Sequence, residues 1–446
     1  MQKLLLKFKI DTLLKYGIAA ILIAVPLYPK FPFINVPGIY VSIRIEDFLI
    51  LVVTVLWFLK TLPNLFSLYK NPVVRAIILF LATGFLATLL GVVFLNTATA
   101  LVGFLEWARR VEYLLGFFIA FTTLKSIKDL EFYMKCIGIV LAIVFVVGLA
   151  QKYFNFPVIT TQNSEYSKGI ALRYVPGTQL VSTFAGHYDL ASYILITSPI
   201  LLGIFFVVKK NWQKIIVFLL IATSFWLMIN AASRITAVAY VLAMSITLVV
   251  LRKTKYILII VVATIVFAFA TSNLFDRYLN IFNAIKDRLS DLIIRPVYAQ
   301  GEVLSAQAPV QDLSTSIRLN VEWPRAIRAF LKDPLLGTGY ASATLATDND
   351  YLRALAETGA LGAITFFVVF FRITKDLIMK SWPKGILSKK QINFRTAYLA
   401  GVIGIIPAVL LNAVFIDIFE ASKFAIPFWF LIGFAMAILY NAKNFE

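Results

Sequence analysis

The strongest constraint on this chain is a succession of apolar runs, each approaching the roughly 20 residues that carry a helix through a bilayer. About twelve are legible, near 12–28, 47–62, 73–95, 104–124, 132–150, 188–208, 214–231, 235–251, 256–274, 354–371, 396–416 and 424–441. In hydrocarbon every backbone N–H and C=O must find its partner inside the protein, and a helix provides this within one segment. The expected fold is therefore all-α, a polytopic membrane bundle of about twelve transmembrane helices. Composition agrees, because 60% of the residues are hydrophobic where a soluble domain holds about 45–50%. The mean hydropathy of +0.86 points the same way, and 39 Phe suit lipid-facing surfaces and interfacial belts.

The net charge of +19 raises the question of nucleic acid, but its placement points instead to membrane topology. Basic residues collect at Lys60/Lys70/Arg75, Lys125/Lys128/Lys135, Lys209/Lys210/Lys214, Arg252/Lys253/Lys255 and Arg372 to Arg395. These are alternate connections, as expected where positive loops are retained in the cytoplasm. The pattern predicts both termini inside, the cytoplasmic membrane as the location, membrane lipid as a partner and no nucleic acid. Lys3, Lys7 and Lys9 precede the first run without a small-residue cleavage site, so an uncleaved first span is expected.

One polar interruption breaks the series. Phe275 to Asn349 is roughly 75 residues long, basic, and on this topology extra-cytoplasmic. Connections in compact proteins are usually short, so such a loop marks a working part at one membrane face. The chain is accordingly divided into membrane spans 1–9 (1–274), an extra-cytoplasmic loop carrying site residues (275–352) and spans 10–12 (353–446). Within the loop, Asp276 to Leu292 has the spacing of an interfacial amphipathic helix, and Gln300 to Gln311 reads as flexible. A capped helix is expected from Ser314 or Thr315, bent or interrupted at Pro324 and ending at Asp333-Pro334. A second polar extra-cytoplasmic stretch runs from Gln151 to Gly186.

The lone Cys136 and lone His187 exclude a disulfide framework and any multi-histidine or cysteine metal centre. His187, just before the sixth run, reads as a local hydrogen-bonding residue and a minor candidate for substrate binding. Arg318 and Arg325 are seven apart and share a face of any helix that survives Pro324, with Arg328 about 80° round the axis. Their forked guanidinium groups suit a phosphate or diphosphate, and equally lipid headgroups. Arg234 stands in Asn230-Ala231-Ala232-Ser233-Arg234, a short extra-cytoplasmic turn where basic residues are unusual. In the fourth run, Glu106 with Arg110 and Arg109 with Glu112 have the spacing of internal ion pairs. Asp348-Asn349-Asp350 reads as a short acidic motif able to hold a divalent metal, and Glu46-Asp47 as a second acidic pair or a helix start. No metal is assigned.

Four places together resemble the O-antigen ligase and O-antigen polymerase family of membrane glycosyltransferases. They are Ser182-Thr183-Phe184, Ser233-Arg234, Arg318 with Trp323 and Asp333-Pro334-Leu335-Leu336-Gly337-Thr338-Gly339, and Asp348-Asn349 followed by Gly359-Ala360-Leu361-Gly362. The resemblance implies a GT-C-like bundle whose large extra-cytoplasmic loop is partly helical. It implies transfer of a glycan from a polyprenyl-diphosphate oligosaccharide to an acceptor hydroxyl, of glycan, lipid or protein, at the outer face of the membrane. The donor carries its own leaving group, so no cofactor is expected. Arg234 and Arg318 would stabilise the departing diphosphate and Asp348 would take the acceptor's proton. Arg325, Arg328, Asn349, Tyr351 and His187 would bind substrate. The ligases place a histidine where this chain has Asp348, which weakens the lipopolysaccharide-ligase reading and leaves polymerisation or another transfer more open. Other readings are a protein O-oligosaccharyltransferase, a sugar transferase acting from a polyprenyl monophosphate through Glu46-Asp47, and a lipid-linked glycan flippase. The flippase predicts polar residues through the midplane and related halves, whereas here charge gathers at one face.

Overall fold

The computed structural model describes residues 2–29, 32–34, 43–159, 171–172, 179–270, 317–343, 347–381 and 392–441. The helices expected near 276–292 and from 314 or 315, the stretch 300–311 and the boundary at 274 lie outside these residues or at their edge. Among the described residues the chain forms α1 (Gln2–Leu27), α2 (Ile45–Thr61), α3 (Leu65–Leu68), α4 (Pro72–Val93), α5 (Ala100–Thr123) and α6 (Ile127–Tyr153). There follow α7 (His187–Phe205), α8 (Asn211–Ala231), α9 (Arg234–Val250) and α10 (Ile257–Ala270). A π-helical turn (Arg318–Glu322) leads into α11 (Trp323–Lys332), and α12 (Asp350–Ser381), α13 (Phe394–Asn412) and α14 (Ser422–Tyr440) complete the chain. Two short antiparallel pairings, Pro32–Ile34 with Ile43–Arg44 and Val158–Ile159 with Ala171–Leu172, are the strands among the described residues.

Each expected apolar run falls on a helix, and among the described residues nine helices are long and apolar enough to cross a membrane. The protein is an all-α polytopic membrane protein. Two further apolar helices, Arg234–Val250 and Thr254–Phe267, are shorter. α5 carries Glu106, Arg109, Arg110 and Glu112, and these charges separate it from the apolar class.

Sequence chemistry sets several helix starts. Asn71 accepts the N–H of Val73 at 2.8 Å ahead of Pro72, whose missing donor costs nothing at a first turn. Asn393 accepts from Thr396 at 2.9 Å, and Asn349 accepts from Tyr351 at 3.0 Å and Leu352 at 2.9 Å to open α12.

The bundle is organised around α14, whose apolar window is wholly buried and which packs against α5. A helix apolar on every side belongs in such an interior position. α13 lies between α7 and α9, while α12 packs on α4 and α11 on α12. Lys423 is fully buried at the start of α14, where it donates to the carbonyls of Pro26 (3.2 Å) and Thr183. It ties the beginning of α14 to the end of α1 and to the Ser182-Thr183-Phe184 segment.

The run expected at 354–371 is instead one element from Asp350 to Ser381, broken at Gly359 (φ 63°, ψ −168°). That break leaves main-chain groups without helical partners, and the glycine turn after α11 supplies them. Thr338 and Gly339 donate to the carbonyls of Ala356 (2.9 Å) and Glu357 (2.8 Å). Ala360 and Leu361 donate to Pro334 (2.9 Å) and Leu335 (3.1 Å). A buried helix break persists when its freed donors and acceptors are matched elsewhere. The two glycine motifs are thus one structure, which stitches the loop onto α12.

Candidate active site

Arg318 sits at the head of the π-helical turn that precedes Pro324. Proline has no N–H and its ring crowds the carbonyl four residues back. The chain opens by one residue per turn instead of breaking, and Trp323 donates to the carbonyl of Arg318. Pro324 thereby falls in the first turn of α11, where the helix tolerates it. The expected interruption is in this way a wide turn rather than a gap.

That turn buries Arg318 to 7% exposure against Asp348. Its Nε and Nη2 both donate to Asp348 Oδ2, at 3.0 and 2.7 Å, and Nη2 also donates to the Tyr188 hydroxyl at 3.2 Å. The guanidinium carbon lies 5.8 Å from the Tyr188 ring centroid, within cation–π range. Burial opposes the charge on Arg318, but Tyr188 and Asp348 outweigh it and hold the group more firmly protonated than usual. Burial pushes the Asp348 carboxyl above its ordinary value, with Asp417 adding to the rise and Arg318 opposing it.

Asp348 itself has φ 48°, a left-handed conformation that aspartate tolerates better than most residues. Two carboxylates hold it there by reciprocal bonds. Asp417, in the turn between α13 and α14, accepts from the N–H of Thr347 and of Asn349, both at 2.8 Å. Asp350 accepts in return from Ile418 (2.9 Å) and Phe419 (3.3 Å). The two acids of Asp348-Asn349-Asp350 are therefore engaged separately, one by Arg318 and one by backbone.

A buried charge network lies behind this clasp. Arg353 reaches Asp417 at 3.0 Å, Glu357 at 3.5 Å and Glu420 at 3.6 Å. Arg110 reaches Glu106 at 3.3 Å and also Glu420. The expected Glu106–Arg110 pair is present, while Arg109 comes to 4.0 Å from Asp47 on α2. Asp47 accepts from the N–H of Arg44 at 2.9 Å, so it serves a helix start as well. Residues of this network line a cavity of about 60 Å³ with Tyr340, Phe366 and Trp429.

The other candidates take varied places. Arg234 opens α9, half-buried, after Ala232 in a left-handed conformation (φ 53°). Its turn is tied to α13 through Ser233 and Thr236 (2.6 Å) and Thr236 and Asn412 (2.9 Å). Since Asp350 donates to Ala413 at 3.0 Å, Arg234 stands at the same end of the bundle as Asp348. His187 begins α7, its ring centroid 4.0 Å from that of Tyr188. Arg325 is half-buried on α11 and Arg328 exposed. The side chain of Asn349 is committed to capping α12, and Tyr351 donates to Leu410 at 2.6 Å while stacking on Phe367.

Sequence reasoning missed Tyr188, Arg353, Glu357, Asp417, Glu420 and Glu322. The Arg353–Glu357 spacing was a usable signal. Asp417 and Glu420, two acids in the turn between the last two apolar runs, were another.

No curated protein matches the chain. Residues 219–367 match the family model Wzy_C, described as O-Antigen ligase. The match runs from α8 through Ser233-Arg234, Arg318 and Asp348 into α12. The chain is a polytopic membrane protein whose residues 219–367 are similar to the O-antigen ligase family model.

Proposed function

We propose that the protein transfers a glycan from a polyprenyl-diphosphate oligosaccharide to an acceptor hydroxyl, in polysaccharide polymerisation or ligation. The reaction would run at the outer face of the cytoplasmic membrane, the side on which the charge pattern predicts the loop. The observation that carries this reading is the buried, doubly bonded Arg318–Asp348 pair inside the matched region. A fixed guanidinium in a partly dry site stabilises charge that develops on a departing diphosphate without reorganising at the moment of reaction. Arg234, at the same end of the bundle, is the second such cation, and Arg325 and Arg328 on α11 extend the basic surface toward the donor. As the acceptor oxygen attacks the anomeric carbon, the bond to diphosphate breaks and the acceptor's proton passes to a carboxylate of the site, a role the family resemblance gives to Asp348.

Purified protein supplied with a defined polyprenyl-diphosphate oligosaccharide is expected to release polyprenyl diphosphate and lengthen or transfer the glycan. Donor translocation without release identifies a flippase instead. Arg318→Ala and Arg234→Ala are each expected to lower transfer by about 10²- to 10³-fold. Full transfer by either variant, in correctly inserted protein, would sink the assignment.

A further inference from the structure

Asp348 is poorly placed to be the sole proton acceptor, because Arg318 directs two donors onto its Oδ2. Those two bonds occupy the oxygen that would receive the proton and favour its charged form, against the burial that raises the group. A second carboxylate, Glu322, occupies the same π-helical turn as Arg318. Its Oε2 is buried and has no hydrogen-bond partner among the described residues. The indole Nε1 of the adjoining Trp323 and the hydroxyl of Thr347, beside Asp348, are in the same condition. Buried polar atoms are normally satisfied. Glu322 interacts electrostatically with both Arg318 and Asp348. Its unsatisfied oxygen, with the unsatisfied atoms of its neighbour Trp323 and of Thr347 next to Asp348, points to a ligand that both donates and accepts. A sugar hydroxyl does both.

We propose that Glu322 is the catalytic base, and that Asp348 acts as a positioning residue that holds Arg318. This rests on the glycan-transfer reading of the same site. The acceptor O–H gives its proton to Glu322 as its oxygen bonds the anomeric carbon. The electron pair of the breaking C–O bond leaves on the diphosphate beside Arg318, and Glu322 then returns the proton to water. The charged groups around Glu322 are Asp348, Arg318, Asp417 and Arg325. Burial first, then Asp348 and Asp417, raise its carboxyl to about 7, against the pull of the two arginines. A base of that strength suits neutral operation.

The test is transfer to a defined glycan acceptor from a synthetic polyprenyl-diphosphate oligosaccharide, with kcat and KM measured from pH 5 to 9. Glu322→Gln is expected to lower kcat by about 10²-fold or more with donor KM little changed. Glu322→Asp should restore part of that loss, whereas Asp348→Asn should act mainly through donor KM. A kcat for Glu322→Gln within about threefold of wild type, far short of the loss expected for a general base, overturns the proposal. The wild-type profile decides independently of whether variants fold. An acidic limb with its midpoint near 7 is expected, and a limb complete below about 5 overturns the assignment. Wild-type protein that transfers nothing counts against the glycan-transfer reading instead.

Discussion

Asp417 grips the main chain on both sides of Asp348, its two oxygens accepting from Asn349 and Thr347 at 2.8 Å each. The left-handed backbone of Asp348 (φ 48°) is thus imposed from a turn 69 positions away in sequence, between Asp348 and Asp417. Asp417→Asn turns one acceptor into an amide donor facing a backbone N–H, and weakens the partner of Arg353. An unsatisfied buried group costs about 1–3 kcal/mol. A lower unfolding temperature in detergent is expected, together with a loss of transfer exceeding that of the folded fraction. Thermal unfolding and transfer assays on the same preparation check it.

Gly359 and Gly337 interlock. A Cβ on Gly359 would lie 2.4 Å from the Leu335 carbonyl oxygen, and one on Gly337 would lie 2.4 Å from the Gly359 nitrogen. The Gly359 backbone also lies in a region essentially restricted to glycine, where another residue costs about 1–3 kcal/mol. Gly359→Ala is therefore expected to destabilise by at least that amount and to lower transfer by loosening the loop on α12. Gly186→Ala is the control, since a Cβ there meets nothing within 4 Å. It should change stability by no more than about 0.5 kcal/mol. Equal thermal shifts for the two would contradict the interlock.

These relationships mark how far the sequence could be read. The apolar runs found the helices because a span is a local property: length and composition decide it within one segment. Glu106–Arg110 was legible for the same reason, as neighbours one helical turn apart. Arg109 meeting Asp47, and Arg353 meeting Asp417, depend on which helices become neighbours, which no local spacing encodes. Pro324 announced a disturbance, yet the choice of a π turn over a break depended on burial of Arg318 against Tyr188 and Asp348. Gly359 sat in a recognised motif. Its use, freeing four backbone groups for the 334–339 turn, became visible only in three dimensions.

Arg318→Lys separates charge from geometry. Lysine keeps the positive charge but lacks the planar fork that reaches Asp348 through Nε and Nη2 together and Tyr188 through Nη2. If the guanidinium's role is positional as well as electrostatic, Arg318→Lys should recover little of the activity lost in Arg318→Ala, staying about 10-fold or more below wild type. Recovery to wild-type rates would show that charge alone suffices. Tyr188→Phe removes only the hydroxyl acceptor, a bond worth about 0.5–1.5 kcal/mol. Its effect on transfer should be correspondingly smaller than that of Arg318→Lys.

Stability should also carry a signature of Glu322. Burial and the neighbouring Asp348 raise its carboxyl in the fold to about 7 from an ordinary 4.5. Between those values the folded protein binds a proton that the unfolded chain has released, so stability falls as pH rises. The contribution is fully present below 4.5 and is lost as pH climbs through about 7. Asp348, also raised by burial, adds a loss of the same sign from the acid side of that window. The unfolding temperature of the wild type is therefore expected to decline from pH 5 to pH 8. Glu322→Gln, which cannot ionise, should flatten that decline and narrow the gap between the two proteins at the acid end. A wild-type profile that rises across the window, or one that Glu322→Gln leaves unchanged, would show that Glu322 titrates as an ordinary exposed acid.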